Sequence, residues 1–377
     1  MLIRSILSHL HLEILKRNRP PTSTFNFQSA SIGNLFLTGA RLFSGSFESA
    51  IYLVAIMGGV DESKTAVLPS IISNFSHHIS ASLANGTVIT GQNAISHPSE
   101  PTALNNDHPT IPSTIEDATL PGSLPTLRTP SISFSKTTET PLPARINRIW
   151  YINPYGQEMR PPPNPKVLET MIDAEAIIYS IGSLYTSIIP SLILQGVGEA
   201  ISRYEGARYK ILILNGSLDR ETPSYTASDF LSAITSACDV SPTTTTTTTT
   251  FPFPTAAPTS LSPPNTTHNN DDDNNKYLHS DGASPATSPQ DTNHNKYLWS
   301  RYVTHVIHLE GDGVPRVDKE ELGRWGVECV RLYGRKGWGD GEGGMRYDGR
   351  ALAQALGAIL GGRARGERSR RNTVEVV

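Results

Sequence analysis

Residues 176–201 read AIIYSIGSLYTSIIPSLILQGVGEAI, a long stretch with one charge, at Glu199. A bilayer-spanning helix needs about 20 apolar residues in one continuous run, and this stretch is long enough. Its interior reads otherwise. Ile177, Ile178, Tyr179 and Ile181 form the apolar run of a buried strand, and Gly182-Ser183 interrupt it. Tyr185, Thr186 and Ser187 then gather polar groups, and Pro190 suits the first turn of a new helix. The reading is strand, Gly/Ser loop, helix, and not a membrane span.

Similar short apolar runs recur as RIWYIN, YKILILNG, THVIHLEG and VECVRLYG. Helical patterns lie between several of them, at Pro190 to Tyr204 and Ala227 to Ala237. Strands alternating with helices imply a parallel or mostly parallel sheet with helices on both faces, so the fold class is α/β. DGRALAQALGAILGG supplies a last helix with Leu352, Leu356, Ala358 and Ile359 on one side, stopped by Gly361-Gly362.

Nearer the start, FESAIYLVAIMGG sets Phe47, Ala50, Ile51, Val54 and Ala55 at helical spacing, which predicts a buried helix face ended by Gly58-Gly59. In HHISASLANGTVITG, Ile79, Ala81 and Leu83 alternate into Asn85-Gly86 and on to Val88 and Ile89. Asn-Gly between alternating runs predicts a β-hairpin with a tight primed turn, positive φ at both central residues. The first residues, MLIRSILSHLHLEILKRNRP, read as an ordinary amphipathic helix rather than a presequence.

Composition narrows the function. A net charge of −3 excludes the basic footprint of a general nucleic-acid binder. Cys238 and Cys329 have no CxxC partner and read as packing residues in a reducing compartment, with the cytoplasm as the expected location. His77-His78 point to opposite faces of a strand and cannot readily share a metal. His305 and His308, three apart in a strand, also face opposite sides and read as structural. No GxSxG elbow is present to support a hydrolase triad.

The chemistry concentrates in two strand-to-helix loops. Beyond the carboxyl ends of parallel strands, glycine lets a backbone approach a ligand, and a helix start offers free N–H groups to phosphate oxygens. Gly182 gives that approach in the first loop, where the hydroxyls of Ser183, Thr186 and Ser187 could add bonds. The second loop begins at Asn215, which ends the YKILIL strand, and Thr226 or Ser228 caps the helix after it, with Asp229 in its first turn.

GSLYTSIIPSLILQGVGEAI followed by YTASDF resembles the CofD/YvcK family of 2-phospho-L-lactate transferases and UDP-sugar-binding gluconeogenesis factors. FNFQSASIGNLFLTGARLFSGSFESAI and NGTVITGQNAIS resemble the family's middle portion, and RIWYINPYG and YVTHVIHLEGDG its eukaryotic, fungal-like branch. The resemblance implies a Rossmann-like three-layer sandwich built from residues 1–96, 144–237 and 300–362. Between these lie a low-complexity insertion at 97–143 and a disordered one at 238–299, with a basic tail at 363–377. It also implies ligand-binding roles for Asn34, Gly182, Ser183, Tyr185, Thr186, Ser187, Asn215, Tyr225 and Asp229.

The implied reaction is phosphoryl-group transfer from a nucleotide-diphosphate-linked substrate with a divalent metal, Mg2+ by resemblance. The other implied role is that of a non-catalytic UDP-sugar-binding regulator of carbon metabolism or cell-wall synthesis. Expected partners are a nucleotide-diphosphate or UDP-sugar ligand and, in a homo-oligomer, a second copy of the chain; nucleic acid and membrane are not expected. Two departures from the family pattern stand out. The first strand with its GGGTG-type loop and the acidic DDGGSSG segment have no counterpart, so the chain is expected to be truncated before its metal site, which sets its own catalysis in question. Tyr179-Ser180-Ile181 also replaces the usual GPG approach to the serine loop.

Overall fold

A computed structural model describes residues 4–10, 31–61, 63–73, 77–96, 124, 141–203, 207–239, 299–336 and 344–361. The expected insertions at 97–143 and 238–299 lie outside the described residues except at 124, 141–143, 238–239 and 299, and the basic tail lies wholly outside them. Among the described residues the strands are β1 (His78–Leu83), β2 (Val88–Thr90), β3 (Ile146–Ile152), β4 (Glu158–Met159), β5 (Ala176–Tyr179), β6 (Tyr209–Ile213), β7 (His305–His308), β8 (Glu328–Arg331), β9 (Gly334–Lys336) and β10 (Met345–Tyr347).

The α/β reading holds. β5, β6, β7 and β8 form a parallel sheet in that order, with Tyr179 opposite Leu212, Ile211 opposite His305 and His305 opposite Glu328. The single, mostly parallel sheet expected from the sequence is corrected. β3, the RIWYIN run, joins β1, β2 and β4 in a separate antiparallel sheet of order β2-β1-β3-β4. An apolar run announces a strand but carries no information on the direction of its neighbour.

Alternation along β6 shows how both faces of the parallel sheet are covered. Ile211 and Ile213 face one way and pack, with Ile307, against Leu352, Leu356 and Ile359 of the final helix, Gly349–Gly361. Leu212 and Leu214 face the other way into the main core. There they meet Leu192, Ile201, Phe230, Leu231 and Trp299 from helical segments, together with Ala81, Leu83 and Ile149 from the antiparallel sheet. One core thus joins the two sheets. β5 forms an edge of the parallel sheet, and Ile178 and Ile181 at that edge are 42% and 50% exposed.

Other expectations are refined. The Asn85-Gly86 hairpin is present, with Ala81 opposite Ile89, but its turn is not the two-residue primed type. Leu83 N–H donates to Thr87 O at 2.8 Å, closing a three-residue turn in which only Gly86 has positive φ, 84°. Helix Phe47–Met57 forms and ends at Gly58, but only its Ala50 is buried. It packs on helix Ile32–Ser44 and on Ile6 of the helix at 4–10, in a small separate cluster. The expected helix from Pro190 is broken by Gly196, with φ 80°, into helices Ile189–Leu192 and Val197–Ser202. Among the described residues no helix is long and apolar enough to cross a membrane.

Candidate functional site

The stretch 176–201 places its loop at the carboxyl end of β5. Tyr179 ends the strand buried, its hydroxyl donating to Tyr302 O at 2.9 Å. The chain then turns through Ser180-Ile181-Gly182-Ser183 into a wide π-type turn, Leu184–Ile188, where Ile189 N–H reaches Leu184 O. The extra residue in that turn suits the proline two residues beyond it. Pro190 has no N–H to offer an ordinary helical ladder and sits in the first turn of Ile189–Leu192, as its position in the sequence indicates.

Asn215, just beyond β6, ties this loop to the next strand. Gly182 N–H donates to Asn215 Oδ1 at 3.1 Å, and Asn215 Nδ2 donates back to Gly182 O at 3.0 Å. A Cβ on residue 182 would come within 3.2 Å of Ser187 Cβ, so glycine serves close approach here. The structure therefore brings Gly182, Ser183, Ser187 and Asn215 together at the ends of adjacent parallel strands. Ser183 is half-buried and its side chain makes no capping bond; Ser187 is exposed.

Tyr185 and Thr186 of the loop face inward. Glu221 is 1% exposed. Its Oε2 accepts from the N–H groups of Tyr185 at 2.9 Å and Thr186 at 3.1 Å, and its Oε1 accepts from Thr186 Oγ1 at 2.5 Å. Asp219 fixes the turn that presents this carboxylate: its Oδ1 accepts from the N–H groups of Glu221 and Thr222 at 3.1 and 3.0 Å. Burial pushes the Glu221 carboxyl up to about 7, against the pull of its bonds from Thr186. The sequence reading missed Glu221. Its only local signal is the Asp219-x-Glu221-Thr222 turn after a strand, and the partners that give it meaning lie 35 and 36 residues away.

Tyr185 and Tyr225 meet deeper in, with hydroxyls 3.0 Å apart, and Tyr185 also donates to Ile146 O at 3.3 Å. Burial raises both phenols above their usual range, so neither is ionised near neutrality. Ser224, with φ 61°, turns the chain just before Tyr225 enters the core. Asp229 acts in the first turn of helix Ala227–Asp239. Its Oδ2 accepts from Thr226 N–H at 2.8 Å, Thr226 Oγ1 accepts from Asp229 N–H at 3.4 Å, and Oδ1 pairs with Arg145 at 2.8 Å. Of the two expected caps, Thr226 takes the role and Ser228 bonds Glu321 instead, at 2.6 Å.

Asn34 lies elsewhere, exposed in the first turn of helix Ile32–Ser44, where its N–H donates to Ser31 Oγ at 3.4 Å. Among the described residues no group of three or more His, Cys, Asp or Glu side chains could hold a metal ion.

The family model described as 2-phospho-L-lactate transferase CofD matches residues 12–283. An uncharacterized protein of Saccharomyces cerevisiae is 39% identical over 242 residues, covering 58% of this chain and 54% of the relative. A gluconeogenesis factor of Halalkalibacterium halodurans is 27% identical over 211 residues, covering 56% and 48%. The chain thus spans about half the length of the curated relatives it matches. Two crystal structures of one Bacillus halodurans protein, one described as a member of the UPF0052 family, share the fold. Their TM-scores are 0.50 and 0.51 at 19% and 20% identity, covering 92% of this chain and 78% of theirs.

Proposed function

We propose, from the premise that this chain belongs to the CofD family, that it is a CofD-like transferase whose Rossmann-like half binds a nucleotide-diphosphate-linked substrate. The observation that carries this reading is the Ser-rich loop 182–187, set at the carboxyl end of β5 and locked to the end of β6 by both the oxygen and the nitrogen of the Asn215 side-chain amide. Open parallel sheets bind ligands beyond the carboxyl ends of their strands, the side on which this loop lies. Ser183, with its half-buried and uncapped hydroxyl, and Ser187, exposed one turn on, are the groups offered to a diphosphate.

Phosphoryl-type transfer needs positioning and charge stabilisation more than a protein nucleophile. In this reading Gly182, Ser183, Ser187 and Asn215 position the ligand. Tyr185, Thr186, Tyr225 and Asp229 hold the loop and the adjacent helix start from behind. Asn34, in the first turn of helix Ile32–Ser44, has no part in this reading. Among the described residues no group of three or more His, Cys, Asp or Glu side chains gathers for a metal ion, and no step here is routed through one.

The test is calorimetric titration of the purified chain with GDP and with UDP-N-acetylglucosamine, each with and without magnesium. Saturable binding with preference for GDP supports the transferase reading. Preference for the UDP-sugar moves the chain to the regulator reading, in line with the name of its gluconeogenesis-factor relative. Binding of neither by a folded chain contradicts the cleft.

A further inference from the structure

The loop that is offered to an anionic ligand already holds an anion of its own. Glu221 places a carboxylate on the N–H groups of Tyr185 and Thr186 and on the Thr186 hydroxyl, the donors that a phosphate would otherwise take. Among the described residues no basic side chain is paired with it. The charged neighbours are Asp219 and Arg220 on its own turn and, across the Tyr185–Tyr225 pair, Arg145 and Asp229, which pair with each other. Arg220 directs its Nε to Ile95 O at 3.1 Å, and Asp219 adds negative charge on the Glu221 side. A ligand diphosphate on Ser183 and Ser187 would therefore lie close along the loop to a buried carboxylate that, among the described residues, has no basic side chain paired with it.

We propose that Glu221 is the positioning residue of this loop and that an anionic ligand binds with uptake of a proton by its carboxylate. The proposal rests on the ligand crevice argued above. The protonated acid keeps one oxygen as acceptor for the two backbone N–H groups, and its O–H can turn toward Thr186 Oγ1, so the loop stays formed while its negative charge is removed. Burial has already brought this group to about 7, where a nearby diphosphate has a large effect on its charge.

The experiment uses UDP-N-acetylglucosamine and GDP-mannose, diphosphate diesters with no phosphate that titrates near neutrality. Each is titrated into the wild type at pH 7.5 in two buffers of different ionisation enthalpy, and then across pH 6 to 8.5. If the ligand raises the Glu221 pKa by one unit, uptake is about half a proton per ligand, and affinity falls up to about tenfold as pH rises. Glu221→Gln keeps an acceptor for the N–H groups and a donor for Thr186; it should bind with no proton uptake and a flat pH profile. Should that variant not fold, Thr186→Ala removes a bond that favours the ionised carboxylate and should move the midpoint of the pH profile upward. Binding without proton uptake, equal uptake in Glu221→Gln, or an unmoved midpoint in Thr186→Ala overturns the proposal while leaving the crevice intact. Failure of both esters to bind removes the crevice and the proton coupling together.

Discussion

The parallel sheet and helix Phe47–Met57, the second arm of a helical hairpin with Ile32–Ser44, were both announced by apolar patterns in the sequence, yet they bury very different amounts of them. In β6, Ile211, Leu212 and Ile213 are at most 4% exposed, covered from both faces. In helix Phe47–Met57, Phe47 and Val54 of the expected buried face are 37% and 38% exposed, and Ile56 is 55% exposed. That helix meets the α/β body through the Lys166–Glu48 ion pair at 3.2 Å. Periodicity reports the conformation of a segment, and a partner is needed to turn an apolar stripe into core.

The widest separation of the two regions should appear in truncations. Leu212→Ala leaves a cavity in the main core and is expected to cost about 2–5 kcal/mol in denaturant unfolding. Ile56→Ala should cost less than about 0.5 kcal/mol. Comparable losses would show that the hairpin is as well covered as the sheet.

Acid–base behaviour sharpens the comparison within the sheet half. The folded-state value for Glu221 is raised from 4.5 to about 7, so its contribution is complete below the lower value and is lost as pH rises through the higher one. The wild type should thus lose up to about 3 kcal/mol relative to Glu221→Gln between pH 4.5 and 8. Parallel stability profiles of the two proteins would contradict the burial argument.

Smaller effects are expected at the helix start and at the contact between regions. Thr226→Ala removes the cap of helix Ala227–Asp239 and should lower stability by about 1 kcal/mol. Lys166→Ala breaks a solvent-exposed ion pair and should change it by less than about 1 kcal/mol. A larger loss there would mean that the hairpin is anchored more firmly than its exposed surface indicates.

Much of the sheet half was legible in the sequence, because its signals are local. Strand, Gly/Ser loop and Pro190 in a first helical turn appear where the stretch 176–201 puts them. The pairing of strands was not legible, since the run that became β3 looks like its parallel counterparts until its neighbours are known. At the site, Gly182 and Asn215 stood out as loop residues beyond strands, but their reciprocal bonds depend on β5 and β6 being adjacent. Glu221 lay hidden for the same reason. A lone carboxylate in a polar turn reads as solvated until a loop 35 residues away donates to it.

The central claim is that the crevice held by Gly182 and Asn215 receives a nucleotide diphosphate. It is tested most directly by titrating the wild type, Ser183→Ala and Asn215→Ala with GDP and with UDP-N-acetylglucosamine, with thermal unfolding of each protein as the control for folding. The expected result is binding by the wild type and a loss of about 1–3 kcal/mol in each folded variant. Equal affinity in all three proteins would place the ligand elsewhere and contradict the account.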